Sequence, residues 1–356
     1  MDQTSQRPES AARAPARAAR ALSLVASPLR LAHQNGAVPG SWSAALAGLG
    51  AWLGVEIASV PAPDAAAPVF APWEGWSPAA FQNGGAAGLP EAQFVASYCL
   101  DHGHHARGAV DLMLLSPHPA LCGAGGVDAA PLAGALRAMI RVAVAEGRGR
   151  IAIICHAAQH AALERFRLAE ERSLVPDGVA VCCLAIEDAL PALMGPGAPW
   201  DAVIAMPDLR GIVFTLLSET SGVRGAWPML WHSHGLRRVT CEVRGEGSVR
   251  LPLDAPALVQ TLALALQAAG KTAAAQRLHA RWADLRESGV TTLARGSAAP
   301  YATELSDPDL IAMISRENTS CKPARREWQA LKSQPMINFG GHLRVLRVVS
   351  SKTANH

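Results

Sequence analysis

Aromatic residues are scarce in this chain: two tyrosines and six phenylalanines among 356 residues, with tryptophan, at nine, outnumbering both. Charged side chains are few as well, 17% of the total, while half of the residues are hydrophobic. The apolar content is therefore mainly Ala, Leu and Val, the material of helices packed on sheets. It suffices for a large core and excludes a mostly disordered chain. No segment runs for ~18 apolar residues without Gly, Pro or a charge, so no membrane partner is expected despite a mean hydropathy of +0.14. Neither sign of charge dominates: 32 Lys+Arg against 29 Asp+Glu leave +3, too balanced to imply nucleic acid. Cys-x-x-Cys pairs are absent, and seven scattered cysteines do not make a disulfide framework. Most of them sit in apolar runs as small hydrophobes, which fits a reducing, cytoplasmic setting.

What is present is a strand–helix alternation. The length suggests about two domains at ~150 residues each. Residues 1–21, rich in Arg, Ala and Ser, read as a disordered leader without the apolar core of a signal peptide. Short apolar runs at Leu29–Leu31, Val55–Val60, Val110–Leu115, Arg150–Cys155, Gly178–Ala185, Trp200–Met206 and Arg238–Val243 predict strands. Between them, helices are predicted over Ser41–Leu53, Ala130–Glu146, Ala161–Glu171, Ile186–Leu193, Ala255–Ala269, Ala273–Glu287 and Asp307–Arg316. Gly147 and Gly270 stand where two of the helices should stop. Strands this apolar are covered on both faces, so the fold class is α/β. From Glu317 onward Lys322, Arg325, Arg326, Lys332, Arg344 and Lys352 mark a basic tail, 317–356, expected to be poorly ordered outside the core.

The densest polar cluster is Asp101-His102-Gly103-His104-His105. Its side chains are of metal-ligating types, but neighbours in sequence seldom converge on one ion, and a solvated loop is the plainer expectation. His232 and His234 would share a strand face. Cys182 and Cys183 would point to opposite faces of a strand, within the core. No Gly-x-Ser-x-Gly elbow and no Gly-x-x-x-x-Gly-Lys-Ser/Thr loop occurs.

Five segments in order add a resemblance. Gln34-Asn35-Gly36-Ala37-Val38-Pro39, Gly84-Gly85-Ala86-Ala87-Gly88-Leu89-Pro90, Ile151–His156, Pro207-Asp208-Leu209-Arg210-Gly211 and Thr291–Glu304 before a last helix span Leu29 to Arg316. Together they resemble the isocitrate/isopropylmalate dehydrogenase family. The resemblance implies a two-domain α/β fold with a discontinuous first domain, 22–100 plus 224–316. A second domain, 101–223, would carry a dimer contact. It also implies NAD(P)-dependent oxidation and metal-assisted decarboxylation of a 2-hydroxy acid. That chemistry needs arginines for the substrate carboxylates, carboxylates for Mg²⁺ or Mn²⁺, and a Lys and a Tyr for protons.

The chain departs from that pattern at most of these places. His156 falls at the family's Lys position, and Ile212 and Leu216 fall where two metal-binding Asp residues belong. Glu187 and Asp208 are the carboxylates left for a metal, and Arg107 is the one arginine where several are expected. Arg244 and Gly245 replace the His-Gly of the cofactor loop, which runs on to Pro256. The expectation is a degenerate member, a non-catalytic homologue or subunit, that binds NAD or NADP weakly and has lost Mg/Mn. It would form a homodimer or pair with a catalytic homologue. The alternative is an oxidoreductase for a 2-hydroxy acid with an altered site drawn from Asp101, His102, His104, His105, His156 or Asp208.

Overall fold

The computed structural model describes residues 29–32, 40–60, 69–74, 92–102, 109–122, 130–195, 198–233, 238–244, 253–292, 301–316 and 327–332. In chain order they form β1 (Leu29–Ala32), α1 (Gly40–Leu53), β2 (Ile57–Val60), β3 (Val69–Phe70), β4 (Ala92–Asp101), β5 (Val110–Pro117) and α2 (Ala130–Ala145). Next come β6 (Arg150–Cys155), α3 (Ala157–Leu174), β7 (Ala180–Ala185), α4 (Ile186–Met194), β8 (Ala202–Ala205) and α5 (Arg210–Ser221). The remainder is β9 (Trp227–Ser233), β10 (Arg238–Glu242), α6 (Ala255–Ala268), α7 (Thr272–Glu287), β11 (Val290–Thr292), β12 (Thr303–Leu305) and α8 (Asp307–Ser315).

Ten strands form one sheet in the order β2-β1-β3-β10-β9-β4-β5-β8-β6-β7, and β11 pairs with β12 apart from it. Four strands on one flank, β2, β1, β3 and β10, run parallel. Four on the other, β5, β8, β6 and β7, also run parallel. Between the flanks, β9 and β4 are antiparallel to each other and to their outer neighbours. The sheet is therefore mixed, and the α/β expectation holds in that form.

The sequence explains the flank that carries most of the candidate residues. Leu112–Leu115, Ile151–Cys155 and Ala202–Ala205 are each buried from end to end. A run without polar alternation suits a strand covered on both faces. Helix α6 is buried all round, from Ala255 to Gln267. Asp254 starts it, its Oδ1 accepting from the Ala257 amide at 2.7 Å, and Gly270 (φ 76°) closes it in the left-handed region. No helix among the described residues is long and apolar enough to cross a membrane.

Three expectations change. The stretch 61–78, expected as loop, contributes β3 to the sheet. Strand β4, at the sheet's centre, was not among the expected strands, nor were β9 and helix α5. Within the basic tail, residues 327–332 join the core: Trp328 is 1% exposed, and Ala330 and Leu331 are buried beside it. An indole, an alanine and a leucine outweigh the charges around them, which stay at the surface as the pair Lys332 Nζ–Glu327 Oε2, 3.2 Å. The leader, the rest of the tail, the loop 34–39 and the Gly-rich turn 84–90 lie outside the described residues.

Candidate functional site

In an open α/β sheet, ligands bind beyond the carboxyl ends of parallel strands, where loops and helix N-termini meet. On the β5-β8-β6-β7 flank these ends carry, in spatial order, His118 and Cys122, then Asp208, His156 and Glu187. His156 follows β6 and opens α3, its backbone N donating to Gln159 Oε1 at 3.3 Å. Asp208 lies between β8 and α5. His156 Nε2 and Asp208 Oδ2 are 2.5 Å apart, with both side chains about half exposed. Two residues that sequence placed 52 positions apart thus form a dyad at the strand ends.

Around this dyad the remaining groups are held by burial. The Cys122 thiol is pushed up to about 11, first by burial and then by the negative charge of Asp208. His118 sits below the usual imidazole range because burial disfavours its cation, and its Nδ1 accepts from the Ala120 amide at 3.1 Å. Beneath His156, Cys155 and Cys183 place their sulfurs 4.0 Å apart across β6 and β7. The Cys183 thiol is raised well above its ordinary range by that contact and by burial, so it is an inert core group. Glu187 stands in the first turn of α4. Among the described residues no three His, Cys, Asp or Glu side chains converge to hold a metal ion.

Ile212 and Leu216 lie on α5, one turn apart. Ile212 is 47% exposed, and Leu216 is partly buried against the core. Next to them, Arg210 turns inward. Its Nε and Nη2 donate to Glu242 Oε1 and Oε2 at 2.9 and 2.6 Å, and Nη2 reaches Ser97 Oγ at 2.8 Å. Ser97 in turn donates to Glu242. All three are buried, so this guanidinium is committed inside the protein and presents nothing to a substrate.

The proposed cofactor residues lie elsewhere. Arg244 follows β10 and is paired with Glu219 of α5, which also receives Arg224 Nε at 2.9 Å. Those two cations, Arg244 foremost, hold the Glu219 carboxyl below the ordinary carboxylate range. Pro256 is buried in the first turn of α6. It lines a narrow cleft with Asp101, Trp282, Arg286 and Thr291. Gly245 and Arg107 lie outside the described residues.

The histidine-rich stretch corrects the expectation of a solvated loop at its first two residues. Asp101 accepts a two-pronged contact from Arg286 Nε and Nη2 at 2.7 and 3.0 Å, and both side chains are buried. His102 is buried too, with its ring 5.3 Å from His279 and 5.6 Å from Trp282. Residues 103–108, with His104 and His105, lie outside the described part. His232 is stacked on Phe94 at 4.3 Å, while His234 is outside it. Of the cysteine pair, Cys183 is buried and Cys182 half-buried.

No family model matches this chain, and no curated protein matches it. Solved structures do. One is isocitrate dehydrogenase from Methylococcus capsulatus, at TM-score 0.54 and 14% identity, covering 80% of this chain and 97% of that one. A second is a chain in the structure of the Euglena gracilis mitochondrial ATP synthase peripheral stalk, at 0.55 and 14%, covering 80% and 98%. A third is the TT0538 protein from Thermus thermophilus, at 0.55 and 14%, covering 86% and 68%. The class this defines is an α/β protein with a fold like that of isocitrate dehydrogenase. At this identity the likeness is one of fold.

Proposed function

We propose that this chain is a non-catalytic, dehydrogenase-like protein that serves as a structural subunit. The observation that carries the reading is the face of α5. Where the family resemblance calls for two carboxylates, the chain has Ile212, half exposed, and Leu216. An aliphatic side chain cannot replace the hydration shell of a hard divalent cation. An exposed isoleucine does suit contact with another protein, and α4, packed on α5, exposes Met194 as well. That one similar structure is a dehydrogenase and another comes from an ATP synthase peripheral stalk is consistent with a fold used for both chemistry and assembly.

In this reading the chain retains the two-domain division proposed from the sequence, 22–100 plus 224–316 and 101–223, with α4 and α5 contributing the dimer or subunit contact. Dinucleotide affinity is low. Arg244, which could have met a 2′-phosphate, spends its charge on Glu219. The test is a purified chain assayed for NAD(P)H formation with isocitrate, isopropylmalate and tartrate-like acids, with Mg²⁺ or Mn²⁺ present, alongside native mass spectrometry. The expected result is no turnover and a mass above the monomer. Turnover at ~1 s⁻¹, the low end of ordinary enzymes, would overturn it.

A second reading rests on the His156–Asp208 dyad. A carboxylate that orients an imidazole is the usual arrangement of a general base, here at the carboxyl ends of parallel strands. It supports an NAD(P)-dependent oxidoreductase with an altered site. A base alone does not stabilise the charge that develops on an enolate, and that is usually the larger part of such catalysis. We therefore rank it second.

A further inference from the structure

The C-terminal residues 327–332 lie across the protein on a buried ionisable cluster that neither reading of the function uses. Trp328 stands edge-on to Tyr98 of β4, ring centroids 5.8 Å apart, and 5.7 Å from His279 of α7. The next residue, Gln329, donates its backbone N–H to Asp111 Oδ2 of β5 at 3.1 Å. Asp111 Oδ1 meets Arg148 Nη1 at 2.7 Å, and Arg148 Nη1 also donates to the Asp111 carbonyl at 2.9 Å. Arg148 Nη2 faces Glu146 Oε2 at 3.6 Å, and Glu146 Oε1 accepts from the Tyr98 hydroxyl at 2.7 Å. The path closes on itself: Trp328, Tyr98, Glu146, Arg148, Asp111, Gln329. We propose that residues 327–332 form a proton-linked latch, seated while Glu146 carries a proton and loosened when Glu146 ionises.

The charge balance supports the direction. Arg148 is completely buried and Glu146 nearly so. With Glu146 ionised the cluster holds two carboxylates against one guanidinium, a net negative charge of which Asp111 keeps partial access to water and Glu146 almost none. With Glu146 protonated it is neutral. Arg148 Nη2, 3.6 Å from Glu146 Oε2, favours the ionised form, but the same guanidinium also serves Asp111 and its pull does not offset the hydration lost on burial. Burial accordingly raises the Glu146 carboxyl to about 7, with Asp111 adding to the rise and Arg148 and the Tyr98 hydrogen bond opposing it. Burial and the Glu146 charge push the Tyr98 phenol above its own usual value, so it remains a donor throughout. Among the described residues, the other titratable groups near the strap are His279 and, beyond it, His102, on the Trp328 side, with Glu327 and Lys332 paired to each other at its surface. Admitting water relieves the buried charge. The cover with the fewest covalent and ladder constraints is the strap, since it belongs to no strand of the sheet.

Hydrogen exchange of the full chain between pH 6 and 8.5, corrected for intrinsic rates, tests the latch in a peptide spanning Trp328–Lys332. Protection should fall by about tenfold or more as pH rises, the effect of one unit of linked titration. Glu146→Gln, which keeps an acceptor for Tyr98 without a charge, should stay protected at both pH values. A flat wild-type profile, or an unchanged pH dependence in Glu146→Gln, overturns the proposal. Linkage is reciprocal, which gives a second test that does not need that variant to fold. The Glu146 carboxyl carbon, followed by NMR, should titrate at least about one unit lower in full-length Trp328→Ala than in the wild type. An unmoved midpoint also overturns it.

Discussion

Arg210, the first residue of α5, sets the Nε–Nη2 edge of its guanidinium on both carboxylate oxygens of Glu242 at the end of β10, and each residue is 1% exposed. The pair joins a helix from one flank of the sheet to a strand on the other, with Ser97 of the central strand β4 between them. Breaking such a pair costs more than removing it, because the survivor is left charged and buried. Arg210→Met should lower the unfolding free energy by about 3–5 kcal/mol. Arg210→Met combined with Glu242→Met should recover much of that loss. Urea unfolding of the two single variants and the double variant measures it, and additive losses would refute the coupling.

The exposed dyad should behave differently. His156 and Asp208 are each about half in solvent, so their 2.5 Å contact is screened. Such pairs contribute about 0–1 kcal/mol. His156→Ala and Asp208→Asn should therefore shift the thermal midpoint little. In the structural-subunit reading they should also leave every binding property of the chain unchanged. A drop in dinucleotide or hydroxy-acid affinity in either variant would favour the oxidoreductase reading.

How much was legible in the sequence follows the range of the forces involved. Local signals carried far: Gly147 and Gly270 adopt the left-handed φ that ends α2 and α6, and Ser306 caps α8 through the Asp309 amide. The buried strands β5, β6 and β8 were readable as unbroken apolar runs. Strand β4 carries a similar run, Phe94 to Leu100, interrupted only by Ser97. That serine belongs to the Arg210–Glu242 cluster, whose members are 32 to 145 residues apart. Periodicity says nothing about such pairings. The same holds for Asp101, whose partner Arg286 is 185 residues away, and for His156, whose partner belongs to another strand end. Trp328 was the signal that part of the basic tail folds back, since a lone tryptophan in polar surroundings has a large surface to bury.

Removing that indole should be costly. Trp328→Ala takes a ring from among Tyr98 and His279 and leaves a cavity that the sheet face cannot fill. A loss of about 3–5 kcal/mol is expected for a buried tryptophan. Chemical denaturation at pH 4.5, where Glu146 is mostly neutral in the folded state even if its midpoint falls by a unit in the variant, measures it apart from the charge effect. A loss below about 1 kcal/mol, the range of surface substitutions, would mean that the strap contributes nothing to the core.

Through Glu146, stability should also depend on pH in a direction opposite to that set by three surface carboxylates. Glu164, Glu170 and Glu219 are held below their usual value by hydrogen bonds from Arg167, Arg137 and Arg244 respectively. What they contribute is present above the unfolded value of 4.5 and is lost as pH falls through their lower folded values. Glu146 is raised from 4.5 to about 7 by burial. In that window the folded state binds a proton that the unfolded state has released. Its contribution is therefore complete below 4.5 and is lost as pH rises through about 7. Urea unfolding of wild type and Glu146→Gln across pH 4 to 8.5 isolates this group, since the exposed pairs are common to both proteins. The wild type should lose stability relative to Glu146→Gln as pH climbs from 4.5 to 7, and the difference should level off above that range. A difference that is constant with pH would show that Glu146 does not titrate there, and the buried negative charge would then be balanced by Arg148 after all.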